Sequence, residues 1–207
     1  QDWDKFDSYS SYDDFTFSYL TECKRILKPD GGLWIIGSYH NIFRIGKILQ
    51  DLNFWILNDV IWAKSNPLPN FRATRLTNAH ETLIWCSKKP KSKYQFNYHT
   101  LKVANEDRQE RSIWNFPICS GKERLKNNKN QTAHPTQKPL ALMKKIIIQS
   151  SIQGDLVLEP FAGTASFCAE AKYLGRNYIG FEKDETYFNL AIKRLKKIKS
   201  LKNDLLE

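Results

Sequence analysis

The fold of this chain is decided by one stretch of sequence, Leu156-Val157-Leu158-Glu159-Pro160-Phe161-Ala162-Gly163-Thr164-Ala165-Ser166. A short apolar run leads through a turn of small residues into a helical pattern over 165–174. A second apolar run, Tyr178-Ile179-Gly180-Phe181, precedes another helical pattern over 184–199. Strands that alternate with helices in this way are joined by right-handed crossovers and lie parallel. The order predicts a doubly wound α/β sheet, whose small-residue turn lets a ligand approach the backbone at the carboxyl edge.

The rest of the chain adds elements of the same two kinds. Helical spacing of apolar residues predicts further helices over 12–27, 41–52 and 137–150, the second with Asn41 as its N-cap. Apolar and β-branched runs predict further strands over 33–37, 54–62 and 81–86. Residues 88–130 have no clean period, so we expect an irregular, basic, aromatic-containing insert. We predict a single domain over 1–207 that carries this insert.

Composition and charge narrow the class of protein. Apolar residues make up 41% and charged residues 26%, which is typical of a globular protein, and no apolar run reaches the ~20 residues of a membrane span. The acidic start lacks the features of a signal peptide. The cysteines stand far apart without metal-binding spacing, which argues against a zinc site or a disulfide scaffold and for the reducing cytoplasm.

The net charge of +10 is unevenly distributed. Residues 1–22 hold six acids and one base, a net of −5, whereas residues 88–130 hold eleven bases and four acids, a net of +7. Such a surface suits a polyanion such as nucleic acid, although a basic surface can equally serve solubility.

The turn and one later acid suggest a cofactor. Glu182 ends the second strand about twenty residues after the turn, where a carboxylate can accept both ribose hydroxyls of a nucleoside. Taken singly, each has a purely structural explanation: turns commonly contain glycine, and Glu182 can be an ordinary surface acid. Together they favour a nucleoside cofactor, and the missing GxGxxG pattern disfavours a dinucleotide.

A second block, His134-Pro135-Thr136-Gln137-Lys138-Pro139, has two interpretations. It can be a helix start, with Thr136 as the N-cap. Alternatively, it can be a binding site, because it offers hydroxyl, amide and ammonium donors for the carboxylate of a ligand.

These residues resemble the β-class amino DNA methyltransferases, and within them the HinfI-like, cell-cycle-regulated adenine methyltransferases that act on GANTC. The resemblance covers almost the whole chain. Residues 159–165 match the family's AdoMet motif Asp-Pro-Phe-x-Gly-x-Gly, Glu182 matches its acidic ribose position, and 134–139 match its His-Pro-Thr-Gln-Lys-Pro block unchanged. The subgroup signature lies in Trp3-Asp4-Lys5-Phe6-Asp7 and in residues 37–44, 66–72 and 77–82.

The resemblance implies a Rossmann-like methyltransferase sheet that uses S-adenosyl-L-methionine (AdoMet) and no metal to methylate adenine N6 in duplex DNA, with the adenine flipped out. It implies a bacterial, nucleoid-associated protein that needs no membrane, and it leaves the oligomeric state open, a homodimer included. The implied cofactor-binding residues are His134, Pro135, Thr136, Lys138, Glu159, Pro160, Phe161, Ala162, Gly163, Thr164, Ala165 and Glu182.

We expect three regions to contact DNA: residues 38–44 after a strand, the loop over 66–80 and the insert over 88–130. Arg and Asn can contact guanine and adenine edges bidentately, and Lys can contact phosphates. Asn78 and His80 can alternatively brace the next strand. The implied DNA-binding residues are Ser38, Tyr39, His40, Asn41, Arg44, Asn66, Asn70, Arg72, Arg75, Asn78 and Lys122.

Three departures from the family pattern shape further expectations. Glu159 replaces Asp and Ala165 replaces the second Gly, and we expect both to crowd the cofactor turn. The catalytic Asp-Pro-Pro-Tyr motif, whose Asp and Pro carbonyl accept the hydrogens of the adenine amine, is absent from these residues. We therefore expect no catalytic residue in this chain and a central strand, ending in that motif, upstream of Gln1. A binding fragment without methyl transfer, or a basic DNA-binding module without a cofactor, are the alternative interpretations.

Overall fold

A computed structural model describes residues 5–127 and 129–201. Trp3 and Asp4 of the subgroup signature lie outside these residues. The chain divides into two compact units: the first takes in the residues up to 64, 68–95 and 111–115, and the second takes in 65–67, 96–110 and the residues from 116 onward.

The first unit is an antiparallel sheet with two helices. Its elements are α1 (Tyr9–Ile26), β1 (Gly32–Gly37), α2 (Ile42–Asp51), β2 (Trp55–Lys64), β3 (His80–Ser87) and β4 (Ile113–Phe116). The strand order is β1-β3-β2-β4, and β3 runs antiparallel to both of its neighbours. All predicted helices and strands of this unit are present to within a few residues. The expectation of one parallel sheet is wrong here, because β3 inserts between β1 and β2 against their direction.

The helices of this unit cover one face of the sheet. Leu20 from α1 and Leu49 from α2 are fully buried and belong to the same apolar cluster as Ile84 and Cys86 of β3. Apolar residues at helical spacing produce this packing, because each helix buries only one side. Asn41 is the N-cap residue of α2, as predicted, but its side chain makes no capping hydrogen bond.

The second unit contains the predicted parallel pair. Its elements are α3 (Tyr98–Ala104), α4 (Leu140–Ser150), β5 (Leu156–Glu159), α5 (Ser166–Tyr173), β6 (Asn177–Gly180) and α6 (Glu185–Lys197). β5 and β6 are parallel, with Leu156 opposite Asn177 and Glu159 opposite Gly180. The strand–helix–strand prediction is confirmed, and it brings the residues after Glu159 and after Gly180 to the same edge.

The predicted insert is more regular than its sequence suggests. Residues 88–130 contain α3, β4 and a 3₁₀ turn over Gly121–Glu123, and they are shared between the two units. The mixed α/β architecture is confirmed, whereas the single domain with an insert stays a prediction. Among the described residues, β1 has β3 as its one strand neighbour and β5 has β6, so the expected central strand also stays a prediction. None of the described helices is long and apolar enough to cross a membrane.

Candidate functional site

The turn after β5 is held in a left-handed conformation. Gly163 has φ +52°, and Ala165 has φ +54° and ψ +47°. Glycine adopts this region without cost, whereas alanine does so only with strain. The backbone N–H of Ala162 donates to the carbonyl of Phe181 at 2.8 Å, which ties the turn to the end of β6. Pro160 is half-buried, the Phe161 ring is mostly exposed, and Thr164 is buried.

Glu182 joins the two strand ends. Its Oε2 accepts a hydrogen bond of 2.7 Å from the backbone N–H of Gly163, and its Oε1 accepts one of 2.8 Å from the N–H of Asp184. A carboxylate has about four lone-pair directions, so each oxygen can still accept a hydrogen bond from a ligand. The carboxylate is thus fixed at the edge where its predicted ribose-binding role requires it.

Glu159 caps the helix that follows the turn. Ala165 is the N-cap residue of α5 and has no side-chain acceptor, but Oε2 of Glu159 accepts from the N–H of Cys168 at 3.1 Å. The Phe167 N–H and the Cys168 thiol also bond this carboxylate. Burial raises the pKa of Glu159 to about 7, and these hydrogen bonds and the charge of Arg194 oppose the rise only in part.

Both departures from the family motif are accommodated inside the protein. The Ala165 side chain is 2% exposed and packs with Ala162, Cys168 and Ala191. The longer Glu159 reaches the first turn of α5. The expected crowding of the turn is corrected accordingly, because the added methyl points into the core and the added methylene serves a cap.

His134 packs on the same turn. Its Nε2 would lie 3.0 Å from a Cβ at Gly163, and its ring meets Tyr187 edge-on at 4.5 Å. Burial lowers the pKa of His134, and the charge of Glu182 opposes that shift. A side chain at position 163 would therefore press against this imidazole.

The helix does not begin at Thr136, within the predicted block, but directly after the block ends at Pro139. Thr136 is exposed, and its backbone N–H and hydroxyl lie 3.3 and 3.4 Å from Nδ1 of His134. Its predicted role as N-cap is wrong: α4 begins at Leu140, with Pro139 at the N-cap. The Leu140 N–H donates instead to Oε1 of Glu123 at 2.5 Å. Pro135 is exposed and Lys138 half-buried.

Two arginines of this unit were not predicted from the sequence. Arg194 of α6 donates to the carbonyl of Thr164 at 3.0 Å and to Oγ of Ser166 at 2.9 Å, so it braces the turn. Arg124 donates to the carbonyls of Cys119 and Pro135 and carries an Nε that is buried without a partner among the described residues. Arg194 is the one arginine among the lysines of α6, which was the available signal.

Lys122 lies in a basic pocket of the same unit. The pocket is lined by Gly121, Lys122, Arg124, Lys126 and Thr132. Its lysines are exposed, as contacts to phosphate require.

The predicted DNA-binding residues after β1 have different roles. Arg44 is ion-paired in a bidentate manner with Asp13 of α1 and lies over the ring of Tyr9. The arginine holds the pKa of Asp13 below its ordinary value, chiefly through this hydrogen bond. The guanidinium of Arg44 thus joins α2 to α1, and its role as a DNA contact stays a prediction. Ser38 and Asn41 are half-buried and joined by a backbone hydrogen bond, whereas Tyr39 and His40 are exposed, with their ring centroids 4.0 Å apart at an interplanar angle of 36°.

The loop between β2 and β3 is organised by Asn70. Its Oδ1 accepts from the N–H of Arg72 at 3.2 Å and its Nδ2 donates to the carbonyl of Arg75 at 2.9 Å. Asn70 therefore organises the loop, and its role as a base-reading residue stays a prediction. His80 lies within β3 opposite Ala63, which supports the bracing interpretation for that residue. Asn78 is exposed.

Asn66, which belongs to the second unit, is also held by the protein. Its Oδ1 accepts from the backbone N–H of Ile118 at 2.7 Å. Its role as a DNA contact stays a prediction, and its amide nitrogen offers the free donors.

The 68–78 loop exposes unusual side chains for a protein surface. Phe71 is 88% exposed and Leu76 92% exposed, and in the sequence they flank the exposed Arg72 and Arg75. Phe71 lies within the 66–72 segment of the subgroup signature, whereas no sequence pattern singled out Leu76.

The described part of the chain contains no group of three His, Cys, Asp or Glu side chains placed to hold a metal ion. Its four cysteines are free thiols.

Comparisons with known proteins agree with this geometry. A family model, DNA methylase of the N6/N4 type, matches residues 1–193. The type II methyltransferase M.HinfI of Haemophilus influenzae is 54% identical over 99% of this chain, and M2.MboI of Moraxella bovis is 39% identical over 98%. The matched residues cover 57% of M.HinfI and 73% of M2.MboI, so the chain spans little more than half the length of the former. Among solved structures, the M1.HpyAVI–SAM complex has a TM-score of 0.73 and 34% identity, over 88% of this chain and 83% of that one.

Proposed function

Since this chain belongs to the DNA methylase family of N6/N4 methyltransferases, we propose that it binds AdoMet and duplex DNA for methyl transfer to adenine N6 at GANTC. The observation that carries the proposal is the joined edge of β5 and β6, where Glu182 is hydrogen-bonded to Gly163. We place its action in the bacterial cytoplasm, on an adenine flipped out of the duplex.

The residues at this edge fit AdoMet. The small-residue turn gives close access to backbone, and the fixed Glu182 carboxylate can accept ribose hydroxyls. Thr136 and Lys138 supply a hydroxyl and an ammonium for the cofactor's carboxylate. AdoMet supplies the electrophilic methyl group, and the residues of this chain bind and orient it.

Contacts to DNA are assigned to Arg72, Arg75 and Asn78 in the first unit and to Lys122 in the second. All four are exposed, and a protein with a charge of +10 favours a polyanion. Specific reading requires base-edge contacts, and the arginine and asparagine side chains can make them.

The 207 residues contain no Asp-Pro-Pro-Tyr, the motif that in the family accepts the hydrogens of the adenine amine. Amine activation is therefore the one step to which no residue of this chain is assigned.

Two measurements on the same preparation test the proposal. Calorimetry measures AdoMet binding, and transfer of a labelled methyl group measures activity on GANTC duplex against a duplex with the same bases in shuffled order. AdoMet binding together with preference for GANTC supports the proposal. Binding without transfer supports the binding-only alternative, and failure to bind AdoMet refutes the cofactor assignment.

A further inference from the structure

We propose that Arg75 reads a guanine of the recognition sequence and that Tyr39 is the positioning residue that fixes its guanidinium. This inference rests on the proposed function and names the part of the loop that selects the sequence. It is carried by contacts that anchor Arg75 at two points.

The first anchor is the side chain of Tyr39, at the end of β1. Nη1 of Arg75 donates to the Tyr39 hydroxyl at 2.5 Å, and the guanidinium carbon lies 5.7 Å from the centre of the same ring. The second anchor is Asn70, whose Nδ2 donates to the Arg75 carbonyl at 2.9 Å. The backbone carbonyl and the guanidinium of Arg75 are therefore both held by hydrogen bonds, although the residue is exposed.

Tyr39 is itself well placed to act as a fixed support. It follows β1 closely and lies in the turn where the Ser38 carbonyl accepts from the N–H groups of Asn41 and Ile42. Its ring also contacts that of His40, with the ring centroids 4.0 Å apart and the planes tilted by 36°. The hydroxyl therefore has a defined position relative to the sheet.

The three arginines predicted to bind DNA differ in this respect. Arg44 is engaged by Asp13. The side chain of Arg72 has no hydrogen-bond or ion-pair partner among the described residues, so it suits a phosphate, which can be approached from many directions. Of the three, Arg75 alone is held and still exposed.

A held arginine suits a base edge. A guanidinium has five N–H donors, and the bond to Tyr39 uses one of them. The others can form the bidentate pair with guanine O6 and N7, which demands a fixed fork and discriminates strongly among bases. Holding the fork before binding reduces the conformational entropy that the contact costs.

The test combines protein variants with altered guanines. Anisotropy measures the affinity of the wild type, Arg75→Ala, Tyr39→Phe, the double variant of these two and Arg72→Ala for four duplexes at one salt concentration. The first duplex contains GANTC and the last a shuffled sequence. In the second, 7-deazaguanine replaces guanine and lacks the N7 acceptor. In the third, inosine replaces guanine and keeps N7 and O6.

We expect 7-deazaguanine to weaken wild-type binding about tenfold and inosine to leave it nearly unchanged. Arg75→Ala should bind GANTC about 5- to 150-fold more weakly and show no sensitivity to 7-deazaguanine. Tyr39→Phe keeps the ring but removes the hydroxyl, so a loss of about 2- to 10-fold, confined to GANTC, is expected, with no further loss when it is combined with Arg75→Ala. Arg72→Ala should keep the full sensitivity to 7-deazaguanine.

Melting temperatures separate positioning from folding, and all variants should melt with the wild type. The assignment of Arg75 is overturned if the wild type prefers GANTC and Arg75→Ala is still weakened by 7-deazaguanine. Equal losses of Tyr39→Phe on GANTC and on the shuffled sequence overturn the positioning role of Tyr39. A wild type with no preference for GANTC refutes the proposed recognition sequence itself, which is a separate failure.

Discussion

Glu182 accepts a hydrogen bond of 2.7 Å from the backbone N–H of Gly163, across nineteen residues of sequence. This bond joins the ends of two parallel strands and fixes a carboxylate at the edge of the sheet. The turn and Glu182 are therefore structurally coupled, and a substitution in either should disturb the other.

Glu182→Ala should weaken AdoMet binding by roughly 1–3 kcal/mol, because polar partners in the turn and in the ligand lose their acceptor. Calorimetry measures the affinity. Glu185→Ala, an exposed acid in the first turn of α6, is the matched control and should bind as the wild type does. Unchanged affinity in Glu182→Ala removes this residue from the site.

Gly163→Ala should lower the free energy of unfolding by roughly 1–2 kcal/mol for its positive φ alone, and by more because the new Cβ meets His134. AdoMet affinity should fall with it. Chemical denaturation and calorimetry provide the two readouts.

Gly121→Ala is the control for that comparison. Gly121 has φ +57°, but a Cβ added there would meet no atom within 4 Å, so only the backbone cost applies. Equal destabilisation of the two variants would show that His134 does not constrain position 163.

Glu159→Gln should change the pH dependence of stability. Its pKa is about 7 in the folded protein and about 4.3 in an unfolded chain, so unfolding releases a proton between these values. The free energy of unfolding of the wild type therefore falls as pH rises through this window, and the full cost, roughly 3–4 kcal/mol, is present above pH 7.

Thermal melts across this pH window and on either side of it check the expectation. The difference between Glu159→Gln and wild type should shift in favour of the variant as pH rises. Glu185→Gln serves as the control and should give a flat difference. A flat difference for Glu159→Gln would mean that the carboxylate is not held in a buried environment.

Arg72→Ala should keep the melting temperature and weaken binding to all DNA sequences alike, as loss of a phosphate contact does. The slope of log affinity against log salt should decrease by about one. Titrations at several salt concentrations measure this slope. A relaxed preference for GANTC in this variant would instead place Arg72 on a base.

Arg44→Ala provides the opposite control. Because its partner is Asp13, we expect a lower melting temperature and nearly unchanged DNA affinity. A large loss of DNA affinity without destabilisation would return Arg44 to the DNA-binding surface.

The elements themselves were accessible from sequence. Periodicity located β5, α5, β6 and α6 to within about two residues, because a buried strand and an amphipathic helix leave local patterns. The direction of β3 was not accessible, since strand pairing depends on residues far apart in the chain. The helix start at Leu140 was missed because its cap comes from Glu123, seventeen residues earlier.

Sequence by itself determined the family motifs, the cofactor turn, the acid that follows it and the excess of positive charge. Tertiary structure alone decided which side chains remain available to a ligand. Arg44, Arg72 and Arg75 are the same residue type in the same predicted surface. Yet Arg44 is ion-paired with Asp13, Arg72 has no ion-pair partner among the described residues and Arg75 is anchored by Tyr39. The physical reason is that a side chain's role depends on partners brought near by the fold, and these contacts leave no local pattern in the sequence.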